Sequence, residues 1–229
     1  MSSPAGQSVK FTRTAWERFA PATGLVFLVL GGIGNVALFP SGAPDFVDEP
    51  AKIAAFYEKE QSAILTTDLL NLISAPFLLW FIGSLRSVLR RAEGAEGRVS
   101  GIAFAGGTAG VALLMAAAAV DSVAALRVEE QGEIDTVLAT ALWDISNILF
   151  GVAALMGFAV LLIATAVVAF RTGALPVWLG ALSVLIGIGL ALPPIAFFVF
   201  FAFLVWVLVT SIVLLLGAGR ERGPARTAA

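Results

Sequence analysis

Three aspartates, Asp68, Asp121 and Asp144, lie inside long apolar stretches, with Asn35, Asn71 and Asn147 in comparable surroundings. A carboxylate in hydrocarbon costs several kcal/mol unless it is paired, wetted or protonated, so intramembrane acids mark candidate sites. Oxygen donors without nitrogen or sulfur suit a small hard cation, a proton or the amine of a small solute. The chain has neither cysteine nor histidine, which removes thiol redox chemistry, disulfides, ordinary zinc sites, haem ligation and imidazole acid/base catalysis. Those six residues are the expected ligand-binding set, with no catalytic residue or cofactor expected and the identity of any metal open.

The elements that must position these residues are membrane spans. Apolar residues make up 59% of the 229, charged residues 13%, and the mean hydropathy is +0.95. That composition is a polytopic membrane protein's. About 20 apolar residues cross roughly 30 Å of hydrocarbon. The expected fold is an all-α transmembrane bundle of six spans, at about 21–39, 62–88, 101–126, 138–170, 177–192 and 194–217. It forms one domain, 1–218, followed by a disordered tail, 219–229. Pro193 and Pro194 break the last apolar block into a tight hairpin, expected to be buried against its neighbours.

Lysine and arginine set the orientation. With both termini cytoplasmic, the inner segments hold eleven basic residues, Arg86, Arg90, Arg91, Arg98 and Arg171 among them, and the outer segments hold Lys52, Lys59 and Arg127. The outer loops are acidic, from Asp45, Asp48, Glu49, Glu58 and Glu60 to Glu129, Glu130, Glu133 and Asp135. A basic lead before an apolar run also resembles a secretory signal, but the run to Phe39 is long and no small-x-small cleavage site follows, so an uncleaved first span is expected. In the first outer loop Asp48 can cap a short amphipathic helix opened by Pro50, with Ile53, Phe56 and Tyr57 on one face. A separate interfacial helix floating on the headgroups is expected there.

At 1.5 Å per residue, Asp68 and Asn71 lie roughly 9 to 14 Å inside the second span, Asp144 and Asn147 at a similar depth in the fourth, and Asp121 about 8 Å short of the end of the third. Asn35 is about a turn from the exit of the first. An Asp and an Asn three apart share a helix face, and lipid offers such faces no partner, so they must turn inward. Gly101, Gly106, Gly107, Gly110 and Ala116 to Ala119 make the third span a close-packing helix. Its Gly106-x3-Gly110 seam reads as packing within the chain in preference to a dimer contact. Oligomeric state is left open.

Two functional classes remain. In the first, the polar residues line an extracytoplasmic-side pocket that binds a small cation, a proton or an amine solute, in a transport accessory or sensing role. In the second, the protein is structural or lipid-contacting, and its Asp, Asn, Ser and Thr only fix helix packing, with Arg127 available to pair Asp121. Few polar residues occupy the inner halves of the spans, which disfavours a through-channel. An enzyme is disfavoured too: the Tyr-Asp and Gly-x-Gly-Asp patterns of intramembrane aspartyl proteases, the Asp-x-x-x-Asp runs of metal-dependent membrane transferases and an intramembrane lysine for retinal are all missing. Membrane lipids are the expected partners. A net charge of -2 without clustered basic residues argues against nucleic acid.

Ala-Lys-Ile-Ala-Ala-Phe-Tyr at 51–57, Leu-Arg-Arg-Ala-Glu-Gly at 89–94 and Arg-Thr-Gly-Ala-Leu-Pro-Val-Trp-Leu-Gly at 171–180 resemble a broad group of small bacterial inner-membrane proteins of unknown function. The similarity covers nearly the whole chain. It implies a helical bundle in a bacterial plasma membrane and carries no activity that transfers to particular residues.

Overall fold

The computed structural model describes residues 19–38, 42–45, 48–94 and 96–217, and these form six helices with no strand among them. Helix α1 begins as a 3-10 turn at Ala20–Ala22, is α-helical over Thr23–Gly32 and ends as a π-helical turn at Ile33–Leu38. Helix α2 spans Pro50–Glu93, and α3 spans Arg98–Gln131. Helix α4 runs over Thr136–Thr172, with a π-turn at Leu149–Ala154. Helices α5 and α6 are Val177–Leu190 and Pro193–Gly217. The expected tail at 219–229 and the lead before Phe19 lie outside the described residues.

Helices α2, α3, α4 and α6 are long and apolar enough to cross a membrane, whereas α1 and α5 are apolar but shorter. The 14 residues of α5 reach only ~21 Å at 1.5 Å each, less than the hydrocarbon thickness. The 44 residues of α2 reach ~66 Å, more than twice that thickness.

The length of α2 corrects the expectation of a separate interfacial helix. Residues 50–61 are the first turns of α2, because no glycine or proline interrupts the run from Ala51 to Ala75. Their apolar face does not float on headgroups. Ile53, Phe56 and Tyr57 are 0%, 8% and 0% exposed, packed with Ala124, Ala125 and Val128 of α3 and Ala139 and Trp143 of α4. Pro50 opens the helix as expected, but Asp48 does not cap it: Glu49 holds the capping position without a side-chain bond, and Asp48 accepts from the Asp45 backbone N–H at 2.7 Å and pairs with Lys52 at 2.5 Å. At the start of α4, Asp135 caps through its carboxylate, accepting from the Val137 and Leu138 N–H groups at 3.0 Å each.

The main core forms around Phe81, Phe158, Phe203 and Trp206, all fully buried. Within it α3 packs on the second half of α4 through glycines of both helices. A Cβ at Gly157 would lie 2.6 Å from Gly110 N and 2.8 Å from Gly106 O, so the two backbones are in contact. The seam at Gly106 and Gly110 is therefore filled from within the chain. The Pro193–Pro194 hairpin joins α5 to α6 where the break was expected, but Leu192, Pro193, Pro194 and Ile195 are exposed and not covered by neighbouring helices. Such a turn tolerates exposure because the prolines carry no N–H. The donors that remain are used, Leu192 N to Gly189 O at 3.2 Å and Ile195 N to Leu192 O at 3.1 Å.

Candidate functional site

Tyr57, Gln61, Ile64 and Asp68 recur at i, i+4, i+7 and i+11, which places them on one face of α2. That face meets α3. The Tyr57 hydroxyl donates to Asp121 Oδ1, and Asp68 Oδ2 lies 3.0 Å from Ser122 Oγ. Since Asp121 and Ser122 are consecutive, the two hydrogen bonds lie side by side on α3 and bring the two carboxyl groups into one neighbourhood, where the charge of Asp121 acts on Asp68. Tyr57 is 0% and Asp68 6% exposed, and neither aspartate forms an ion pair among the described residues. Arg127, a candidate partner for Asp121 by spacing, is exposed, and the phenol stands in that place.

Aromatic packing roofs the cluster. Tyr57 meets Phe56 and Trp143 edge-on, with ring centroids 6.0 and 6.1 Å apart, and Phe56 meets Trp143 at 5.8 Å. Ala118, Ala124 and Ala125 of α3 are buried and small, which lets α2 approach closely enough for a tyrosine and an aspartate to span the gap.

The other expected site residues are placed differently. Asn35 donates to Asn71 Oδ1 at 2.7 Å and to Gly31 O at 2.9 Å, so both amide hydrogens are used and the pair links α1 to α2. Beside it, Thr67 Oγ1 donates to Gly34 O at 3.3 Å, satisfying a carbonyl of the π-turn. Asn147 donates back to Trp143 O at 2.9 Å. Asp144 is partly buried, and its Oδ1 has no partner among the described residues. The structure thus brings Asp68 close to Asp121 without a bond between them, joins Asn35 with Asn71, and makes no hydrogen bond from Asp144 or Asn147 to either pair.

Tyr57 is the functional residue that sequence reasoning missed. Its position on the face of Asp68 was readable once the helix was taken as unbroken, but the partner on α3 was not. Among the described residues no group of three or more carboxylates is arranged to hold a metal ion. Chemically, two carboxyl groups, a phenol and a serine hydroxyl stand together in two neighbouring hydrogen bonds, and such groups are able to carry protons. No protein-family description, curated protein or solved structure matches the chain. The chemistry of the cluster itself must therefore carry the functional reading.

Proposed function

We propose that this chain is a bacterial plasma-membrane protein of six spans, with its termini in the cytoplasm and its acidic end outside, in which Asp68 and Asp121 hold and exchange a proton near the outer face. The observation that carries this reading is the neighbouring pair of carboxyl groups from two helices, Asp68 buried and Asp121 half-buried, with no lysine or arginine paired to either among the described residues. Two like charges in a low dielectric repel and lack hydration, so the pair is far more stable with a proton on it. Hydrogen-bond geometry admits such a proton on Asp68. Ser122 Oγ has one hydrogen but two oxygen neighbours, Ala118 O at 2.8 Å and Asp68 Oδ2 at 3.0 Å. With the serine hydrogen on the backbone carbonyl, a proton on Asp68 makes the second contact a hydrogen bond.

Of the three ligands that the sequence admits, the proton fits best, because each carboxyl group has a protein neighbour at hydrogen-bonding distance and a proton needs no further room. A sensing or transport accessory role follows from that chemistry. Orientation rests on the asymmetry between the arginine-rich and carboxylate-rich ends. The test is proton uptake by the purified protein after a step to acid, followed with a pH dye. Starting at neutral pH, the wild type, already holding one proton on the pair, takes up about one proton more than Asp68→Asn with Asp121→Asn. Uptake of two more, or of none more, would remove the reading.

A second reading is favoured by the pairing of Asn35 with Asn71 and of Tyr57 with Asp121: the polar residues fix helix register and nothing more. In that case Asp68→Asn with Asp121→Asn changes stability while proton uptake equals that of the wild type.

A further inference from the structure

Helix α2 ends in an open hollow of about 460 Å³, lined by Ser87, Arg90, Arg91 and Gly94. Ser87 is three and four residues before the two arginines, and Gly94 is four and three after them, so all four share one face at the end of the helix. The stem of Arg90 rests on the loop that follows, where a Cβ at Gly97 would lie 3.0 Å from Arg90 Cγ. Arg90 stands ~33 Å from Asp68 along the helix axis, which separates the hollow from the carboxyl pair.

The local balance of charge is positive, with four arginines against two glutamates in residues 86–98. Glu93, the acid nearest in sequence, is occupied at the start of α3, where its carboxylate accepts from the Val99 and Ser100 N–H groups at 2.8 and 2.9 Å. Arg90 forms no ion pair among the described residues. The Ser87 hydroxyl donates to Gly83 O at 3.0 Å and the Gly94 N–H to Arg90 O at 3.1 Å, so the guanidinium groups are the donors that the hollow presents. A guanidinium is always charged, and its planar fork of N–H groups matches a phosphate. Arginines in a last helical turn also complement the helix dipole, and basic loops set orientation, but neither role needs two of them to face one hollow.

Toward the middle of the membrane, the same face of α2 becomes apolar. Gly83, where a Cβ would meet nothing within 4 Å, leaves open space between the hollow and the exposed Trp80, whose ring stands edge-on to Phe77 at 6.4 Å. Trp80 is ~15 Å from Arg90 along the axis, about half of the hydrocarbon thickness and so the depth of one leaflet. An apolar track of that length ending at two guanidinium groups matches a molecule with acyl chains and an anionic head. A free anion would gain the head contacts alone, and in so open a site those are screened by salt.

We infer that the end of α2 is a binding site for an anionic phospholipid, its phosphodiester head held by Arg90 and Arg91 and its chains lying past Gly83 along Trp80. The orientation proposed above puts that lipid in the inner leaflet, and the site does not rest on the proton-exchange reading.

The test uses the purified full chain, delipidated in a neutral detergent and offered equal amounts of phosphatidylglycerol and phosphatidylcholine with the same acyl chains. Native mass spectrometry reads which lipid is retained. The wild type is expected to retain phosphatidylglycerol in preference. Arg90→Gln with Arg91→Gln is expected to weaken its binding about thirtyfold, from about fivefold for each arginine. Lys52→Gln with Lys59→Gln, the same change of charge at the opposite end of the molecule, is expected to leave it unchanged. Equal retention of the two lipids by the wild type overturns the site, whether or not the arginine variant folds, and so does an equal loss in both double variants. Displacement of bound phosphatidylglycerol by millimolar inorganic phosphate overturns the lipid as the occupant, because the head contacts alone would then suffice.

Discussion

Replacing Tyr57 with phenylalanine removes one oxygen from the centre of the cluster and almost nothing else. The ring is fully buried and held edge-on by Phe56 and Trp143, contacts that a phenyl ring keeps. The change therefore isolates the hydroxyl that donates to Asp121. Leaving a buried acceptor without its donor costs about 1–3 kcal/mol, and a hydrogen bond to a charged acceptor is worth more than one to a neutral acceptor. The expected destabilisation of Tyr57→Phe is about 1–3 kcal/mol, measured by reversible unfolding in mixed micelles or by steric trapping in bicelles. In an Asp121→Asn background the same substitution costs less, and the difference is the coupling between the two side chains. A variant as stable as the wild type, or an equal loss in both backgrounds, would show that the phenol and the carboxyl group do not support each other.

Three further outcomes follow from the packing and the helix ends. Gly157→Ala drives a methyl into the backbone of Gly106 and Gly110 and is expected to cost about 1–3 kcal/mol, whereas Gly83→Ala, with nothing within 4 Å, stabilises by up to about 1 kcal/mol; the same unfolding assay reads both signs. Glu93 accepts from the Ser100 and Val99 N–H groups at 2.9 and 2.8 Å, which holds its carboxyl below the ordinary range, with Arg171 adding to the effect. Its stabilising contribution is therefore present above the unfolded-state value, about 4.3, and is lost as pH falls through the lower folded value; Glu93→Gln is expected to flatten that acid limb of the stability profile. For the Asn35 and Asn71 pair, a double-mutant cycle to alanine is expected to give a coupling of about 0.6 kcal/mol, as for other hydrogen bonds between membrane helices, and zero coupling would contradict the α1–α2 bond.

The apolar runs, the Pro193–Pro194 break and the small-residue surface of α3 were legible in the sequence because each follows from local chemistry. Hydrocarbon thickness limits length, proline lacks a donor, and glycine admits a neighbouring backbone. Gly157 was not singled out, although it is the counterpart of Gly106 and Gly110, because a lone glycine in an apolar run shows nothing of what faces it. The continuity of α2 was foreshadowed by the absence of a breaker between Ala51 and Ala75, yet the polar loop around it suggested a separate element. The site was legible at the level of which residues need partners and illegible at the level of which partners they choose. Depth along a helix axis brought Asp68, Asp121 and Asp144 to one level, but rotation about that axis decides contact. It turns Asp68 to Ser122 and Asn71 to Asn35, while Trp143, and not Asp144, meets Tyr57.

The most direct measurement is the infrared carbonyl band of protonated carboxylic acids in the folded protein at neutral pH, taken as the difference between the wild type and Asp68→Asn with Asp121→Asn. A proton held by the buried pair gives a carboxylic acid band in the wild type that the double variant lacks. A difference spectrum containing only ionised carboxylate bands would mean that both acids are charged, and the proton-binding account would fail.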